Sequence, residues 1–172
     1  MRAYAKIVND ETKLVVIGGG SDTQYYTSIG FSEMEVEMAW NGSYYLAGYA
    51  PLKPLEQDKK EKLRELQTLK NQKLSEFSYK GKIYQIEDAS KVNINGKISA
   101  ILLSQNTEKP IESVNWIAKD NSITQFTTAE FLAFSQAVAS YIESVLFKHD
   151  ELRTRVNSAS SIDEIKGIEW VD

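Results

Sequence analysis

Short apolar runs bounded by turn residues, one of them alternating at period two, mark the first third of the chain, and apolar residues recur at three- and four-residue steps in its last third. The first pattern predicts strands, the second an amphipathic helix. Tyr4-Ala5-Lys6-Ile7-Val8 and Lys13-Leu14-Val15-Val16-Ile17 read as a hairpin around Asn9-Asp10. Met34-Glu35-Val36-Glu37-Met38 alternates strictly, and Asn41-Gly42 follows it. That dipeptide predicts a type I′ turn, in which both central residues take φ > 0, with Ser43 to Tyr49 as the return strand. Pro51 and Pro54 then punctuate the chain.

From Gln57 to Leu74 the residues are charged and helix-prone, with Leu63, Leu66, Leu69 and Leu74 as a narrow apolar stripe. Such a stripe suits a solvated connecting helix or one strand of a short coiled coil. Leu63, Leu66 and Leu69 are the candidate oligomer seam, although Lys70 and Lys73 interrupt a strict heptad. Glu76-Phe77-Ser78-Tyr79 and Lys82-Ile83-Tyr84-Gln85-Ile86 flank Lys80-Gly81 as a further, small hairpin. Asp88 to about Gln105 reads as a helix with Ile94, Ile98, Ile101 and Leu102 inward, weakened by Asn93, Asn95 and Gly96. Val114 to Ile117 is a strand candidate, followed by a turn at Lys119-Asp120-Asn121-Ser122.

Thr127 and Glu130 form a capping box, and Phe126 can staple onto Phe131. The wide stripe Phe131, Phe134, Val138, Tyr141, Val145, Leu152 and Val156 faces a core, with Leu132, Ile142 and Leu146 at its margins. Ser161 with Glu164 caps a short final helix that Gly167 ends, leaving Ile168 and Trp170 to fold back on the long one. The predicted class is α+β: an N-terminal β-hairpin module over 1–54, a helical spacer over 55–75, and a C-terminal domain over 76–172. In that domain a hairpin packs on a long helix with a short final helix.

Composition removes several chemistries. The chain of 172 residues has no cysteine, which excludes thiol catalysis, thiolate metal sites and disulfides. A net charge of −4 excludes a strongly basic nucleic-acid binder. No apolar run approaches the roughly 20 residues that span a bilayer, so no membrane insertion is expected. The N-terminus lacks the apolar stretch of a secretion signal, and the chain reads as folded in a cytoplasm.

The remaining candidates are few. Gly18-Gly19-Gly20 after a strand invites a phosphate-loop reading, but no Gly-Lys-Ser/Thr follows and no helix N-terminus is evident, so a flexible loop is expected. His149, the single histidine, falls on the apolar stripe without a nucleophile motif and reads as structural. Glu33, Glu35 and Glu37 share one strand face; three carboxylates there suit a cation or acid–base work, yet more often form a solvated face. No catalytic, cofactor or metal residue is therefore assigned. Tyr25, Tyr26, Trp40, Tyr44, Tyr45 and Tyr49 cluster in sequence and serve either as a contact surface or as the core of a small β module.

Two stretches carry a resemblance. Gly30-Phe31-Ser32-Glu33-Met34-Glu35-Val36-Glu37, followed by residues 40–51, is similar to N-terminal modules of small phage and prophage tail proteins. Residues 77–90, Trp116, Asp120-Asn121-Ser122, residues 126–131 and residues 162–168 resemble a tail-fibre-associated domain of unassigned function. The resemblance implies a non-enzymatic tail component acting by protein–protein or receptor contact. Its partners would be other tail proteins, a fibre or a host surface receptor. It would reside in the bacterial cytoplasm during assembly and then in the virion tail. It also raises the expectation of a homo-oligomer, a trimer by preference. A fibre-assembly chaperone absent from the virion, or a host-glycan binding or hydrolysing module, stays open beside it.

Overall fold

The computed structural model describes residues 1–171 and divides into two compact units, Met1–Asp58 and Lys59–Asp172. The class is α+β, as the periodicities predict. The segment 55–75, expected as a separate spacer, is not a third unit: its helix begins in the first and runs into the second.

In the first unit β1 (Arg2–Asn9), β2 (Leu14–Ile17), β3 (Ser32–Met38) and β4 (Tyr44–Leu46) close into a barrel in the order β1–β2–β4–β3. All four pairings are antiparallel. Closure leaves no sheet edge in the barrel to cover. Ala5, Val15 and Val36 are its buried centre, ringed by Ala3, Ile7, Ile17, Met34 and Tyr44. A four-stranded barrel is narrow, so small side chains are what its axis accepts. Asn9 closes the first hairpin by accepting the N–H groups of Glu11 and Thr12 on its side-chain oxygen at 3.0 and 2.9 Å.

Two local expectations change. The Asn41-Gly42 turn is not type I′, because only Gly42 has positive φ, +80°. Gly42 N–H donates to Ala39 C=O at 3.0 Å and Ala39 N–H to Ser43 C=O at 2.8 Å. This is a three-residue loop ending in a left-handed residue. The second change is α1 (Thr23–Ser28), a short helix soon after the glycine run, where no helix N-terminus is evident in the sequence. Asp22 caps it by accepting the Tyr25 N–H at 2.9 Å. Tyr26 then lies over Gly18 and Gly20; a Cβ on Gly18 would stand 2.8 Å from that ring. The glycine run is the seat of a tyrosine, not a phosphate cradle.

The second unit continues α2 (Leu55–Lys73) into a hairpin of β5 (Glu76–Tyr79) and β6 (Lys82–Gln85). Lys80 and Gly81 have φ of +48° and +77°, the two left-handed residues of a type I′ turn. After α3 (Asp88–Ser104) comes a second hairpin, β7 (Ser113–Ile117) with β8 (Ile123–Thr127). Its Lys119-Asp120-Asn121 loop repeats the bonding of the barrel's loop, with Asn121 at φ +63° in the glycine position. The long helix α4 (Thr128–Ser158) starts at the capping box of Thr127 and Glu130, and α5 (Ile162–Lys166) follows its own Ser161 cap.

Tyr84, Ile86, Ile94, Ile101, Val114, Phe126, Phe131, Phe134 and Val138 form the main core of this unit. Phe134 is its hub, with ring centroids 4.9 Å from Tyr84 and 5.4 Å from both Phe126 and Tyr79. Leu102, expected inward, is 52% exposed, whereas Ile101 is buried. α3 forms despite Asn93, Asn95 and Gly96, and all three lie exposed. Its inner residues meet the aromatic core, which outweighs a propensity cost of about 1 kcal/mol for glycine.

Candidate functional site

The six clustered aromatics separate on folding. Tyr25, Trp40 and Tyr49 are 56%, 44% and 54% exposed. Tyr26 is half-buried against Phe31, 5.2 Å between centroids. Tyr44 packs onto the barrel core, and Tyr45 is buried. Alternation puts Tyr44 and Tyr45 on opposite faces, and both faces are covered. Three residues thus remain as candidate contact surface. Trp40 stands in the β3–β4 loop and Tyr49 just past β4.

The three glutamates do not converge. Glu35 stands 3.6 Å from Arg2 in an exposed pair. Glu37 accepts the N–H groups of Ala50 and Gly48 at 2.9 and 2.7 Å. The Ala50 bond is the main cause holding its carboxyl below the ordinary carboxylate value. It is an ionised clasp on the segment that carries Tyr49. A general acid needs a raised pKa, the opposite shift. Among the described residues no group of acidic or histidine side chains is placed to hold a metal ion.

The leucine seam turns inward. Leu66 is fully buried with Leu152, Val156 and Ile168; Leu63 and Trp170 pack against that cluster. The Lys59 ammonium donates to Asn157 C=O at 3.0 Å, and the Tyr141 hydroxyl to Lys73 C=O at 3.1 Å. Leu66, with Leu63 packed against its cluster, therefore meets its own chain's α4. Leu69 is half-buried and outside that cluster. An apolar stripe read along one helix does not say which helix covers it. His149 is half-buried on α4; burial, then Lys70 and Arg153, hold its pKa below the ordinary value, against Asp150.

Sequence reasoning missed the clefts beside α3. One, about 810 Å³, runs between α3 and α4 and is lined by apolar residues such as Ile98, Leu132, Ile142 and Phe147. The other, about 750 Å³, runs between α3 and β7. It holds Gln85, Asn93, Lys97, Asn115 and Trp116 around the bare backbone of Gly96. The signal was present as the poor helix formers Asn93 and Gly96, since a broken local rule marks a site or a strain.

Residues 57–169, more than half of the chain, match the family model described as a domain of unknown function, DUF4376. The chain belongs to that family, and the match falls almost wholly on the second unit. No curated protein and no solved structure matches the chain. No described helix is long and apolar enough to cross a membrane.

Proposed function

We propose that this chain is a non-enzymatic phage or prophage tail component. It is tail-fibre-associated and works by protein–protein or receptor contact. The observation that carries the contact reading is the exposure of Tyr25, Trp40 and Tyr49 on a 58-residue barrel with four basic and eight acidic residues. Large rings with polar tips give contact area at low entropic cost, and binding surfaces favour them. The tail setting is supported by the resemblance of residues 30–51 and 77–168 to tail modules.

On this reading the chain resides in the host cytoplasm during assembly and in the virion tail afterwards. Its partners are other tail proteins, a fibre or a host receptor, and self-association proceeds through the barrel rather than through Leu63 and Leu66. Mass spectrometry of purified particles tests the setting, and presence at stoichiometric ratio to known tail proteins is expected. Co-purification with a fibre from cells but absence from particles would make it an assembly chaperone instead. Trp40→Ala with Tyr49→Ala should leave folding intact and remove incorporation into particles. Incorporation unchanged in that double variant would put the contact elsewhere.

A further inference from the structure

Hydrogen bonding in the second hairpin alternates, and its phase is set by two bonds. Ala118 N–H donates to Ser122 C=O at 2.9 Å, and Thr128 N–H to Glu112 C=O at 3.0 Å. The register between them pairs Val114 with Phe126 and Trp116 with Thr124. In an antiparallel ladder every second residue bonds the partner strand and the residues between point away. Residues 112, 114, 116 and 118 therefore bond toward β8. Asn115 and Ile117 turn their N–H and C=O groups to the opposite edge of β7. Lys119, next in that phase, donates its N–H to Ile83 C=O at 2.8 Å, which confirms the direction.

Asn115 and Ile117 also line the cleft beside α3, which no residue of β8 lines. The cleft has the volume of a ligand site, and its wall opposite the edge is a helix without a side chain at Gly96. A glycine there lets another backbone approach closely. Gln85, Asn93 and Asn115 add side-chain amides, each able to donate and accept. Lys97 is the one charged side chain lining the cleft.

We propose that the cleft between β7 and α3 binds an extended peptide that adds as a strand to the free edge of β7. Asn115 and Ile117 bond its main chain, as in strand addition generally. Alternate peptide residues point toward α3, where Gly96 and Ala100 accept small or apolar side chains beside the half-buried Trp116. Lys97 sets the charge: the peptide carries a carboxylate opposite it. The partner segment is about as long as the five residues of β7, extended and acidic. The apolar α3–α4 cleft lacks an open edge and does not enter. This inference goes beyond the tail reading, since it concerns the DUF4376 unit alone and its test uses no particle.

The test is selection of the full-length protein against a display library of random nine-residue peptides. Synthetic copies of the selected peptides are then titrated by amide NMR. Selected sequences should carry an acidic residue and small or apolar residues at alternate positions. The Asn115 and Ile117 amides should shift and gain protection from exchange. Lys97→Glu should weaken binding at least tenfold and turn selection toward basic peptides. Gly96→Leu fills the cleft where a Cβ has no neighbour within 4 Å, so it should melt no lower than the wild type and lose binding. N-methylation of the peptide at one bonding amide should cost a similar factor. No binder from the library, binding that leaves both amides unmoved, or wild-type affinity in Gly96→Leu each overturns the proposal. So does selection of peptides that bind as helices.

Discussion

The barrel's buried cluster contains nothing larger than valine: Ala5, Val15 and Val36. The C-terminal unit buries Tyr84, Phe126, Phe131 and Phe134 together. The first unit is held chiefly by strand closure, with each strand paired on both sides. The second has two separate hairpins whose strands share no ladder, so side chains must join them to the helices. Backbone closure leaves no edge, whereas side-chain joining leaves edges open. The free edge of β7 exists for that reason, and the barrel has no counterpart to it.

The contrast breaks most sharply at Val138. Val138→Asp puts an unpaired charge into the aromatic core and should unfold the C-terminal unit. Barrel amide signals should persist in the same spectrum. Wild-type melting of this variant would mean that the stripe of α4 does not face a core.

Matched truncations sharpen the comparison. Phe134→Ala removes the hub ring and should cost about 3–5 kcal/mol. Val36→Ala in the barrel should cost about 2 kcal/mol, at roughly 0.8 kcal/mol per buried CH₂. Denaturant midpoints of the two units, followed separately by NMR, would reverse the argument if the barrel suffered more.

Leu66→Ala probes where α2 belongs. A fully buried leucine should cost the C-terminal unit about 2–5 kcal/mol, and Leu69→Ala clearly less. If Leu66→Ala instead lowers oligomer mass in light scattering without lowering melting, the leucines form a seam after all.

Thr127→Ala deletes half of the α4 capping box, in which Glu130 N–H donates to the Thr127 hydroxyl at 3.2 Å and the Glu130 carboxylate accepts the Thr127 N–H at 3.0 Å. About 1 kcal/mol of C-terminal stability should go, read from chemical denaturation, with the barrel unchanged. No loss would mean that the cap is satisfied by solvent.

The smallest effect is a difference in acid response. His149 has its pKa lowered in the fold by burial and by Lys70 and Arg153. The unfolded chain takes up that proton first, so its contribution is complete above pH 6.5 and is lost as pH falls through the lowered folded value. The barrel has no histidine. Its Glu37 is lowered from 4.5, so its contribution fades only in the carboxylate range. Between pH 7 and 5.5 the C-terminal unit should weaken slightly and the barrel not at all. His149→Gln should flatten the first curve and Glu37→Gln the acid limb of the second. Parallel curves for both units in the wild type would contradict these assignments.

Periodicity, caps and most turns were legible in the residues alone. α4, its capping box and its inward stripe are local facts: step, hydroxyl and carboxylate all lie within a few residues. The strands follow as locally, from the alternation of Met34 to Met38 and from short apolar runs bounded by turn residues elsewhere. The Asn41-Gly42 loop shows where local reading stops, because the register of β3 against β4 demanded three residues and left only Gly42 left-handed. α1 escaped because its six residues carry no apolar period, and Tyr26 finds its seat only once Gly18 and Gly20 are brought under it. Tyr44 and Tyr45 read alike in sequence with Tyr49, yet two are covered and one is not. Leu66 reads as a solvated stripe until α4 covers it. What the sequence determined about this protein is which face each element offers. What only the tertiary structure decided is which faces are covered and which strand edge stays free, because burial depends on residues distant in the chain.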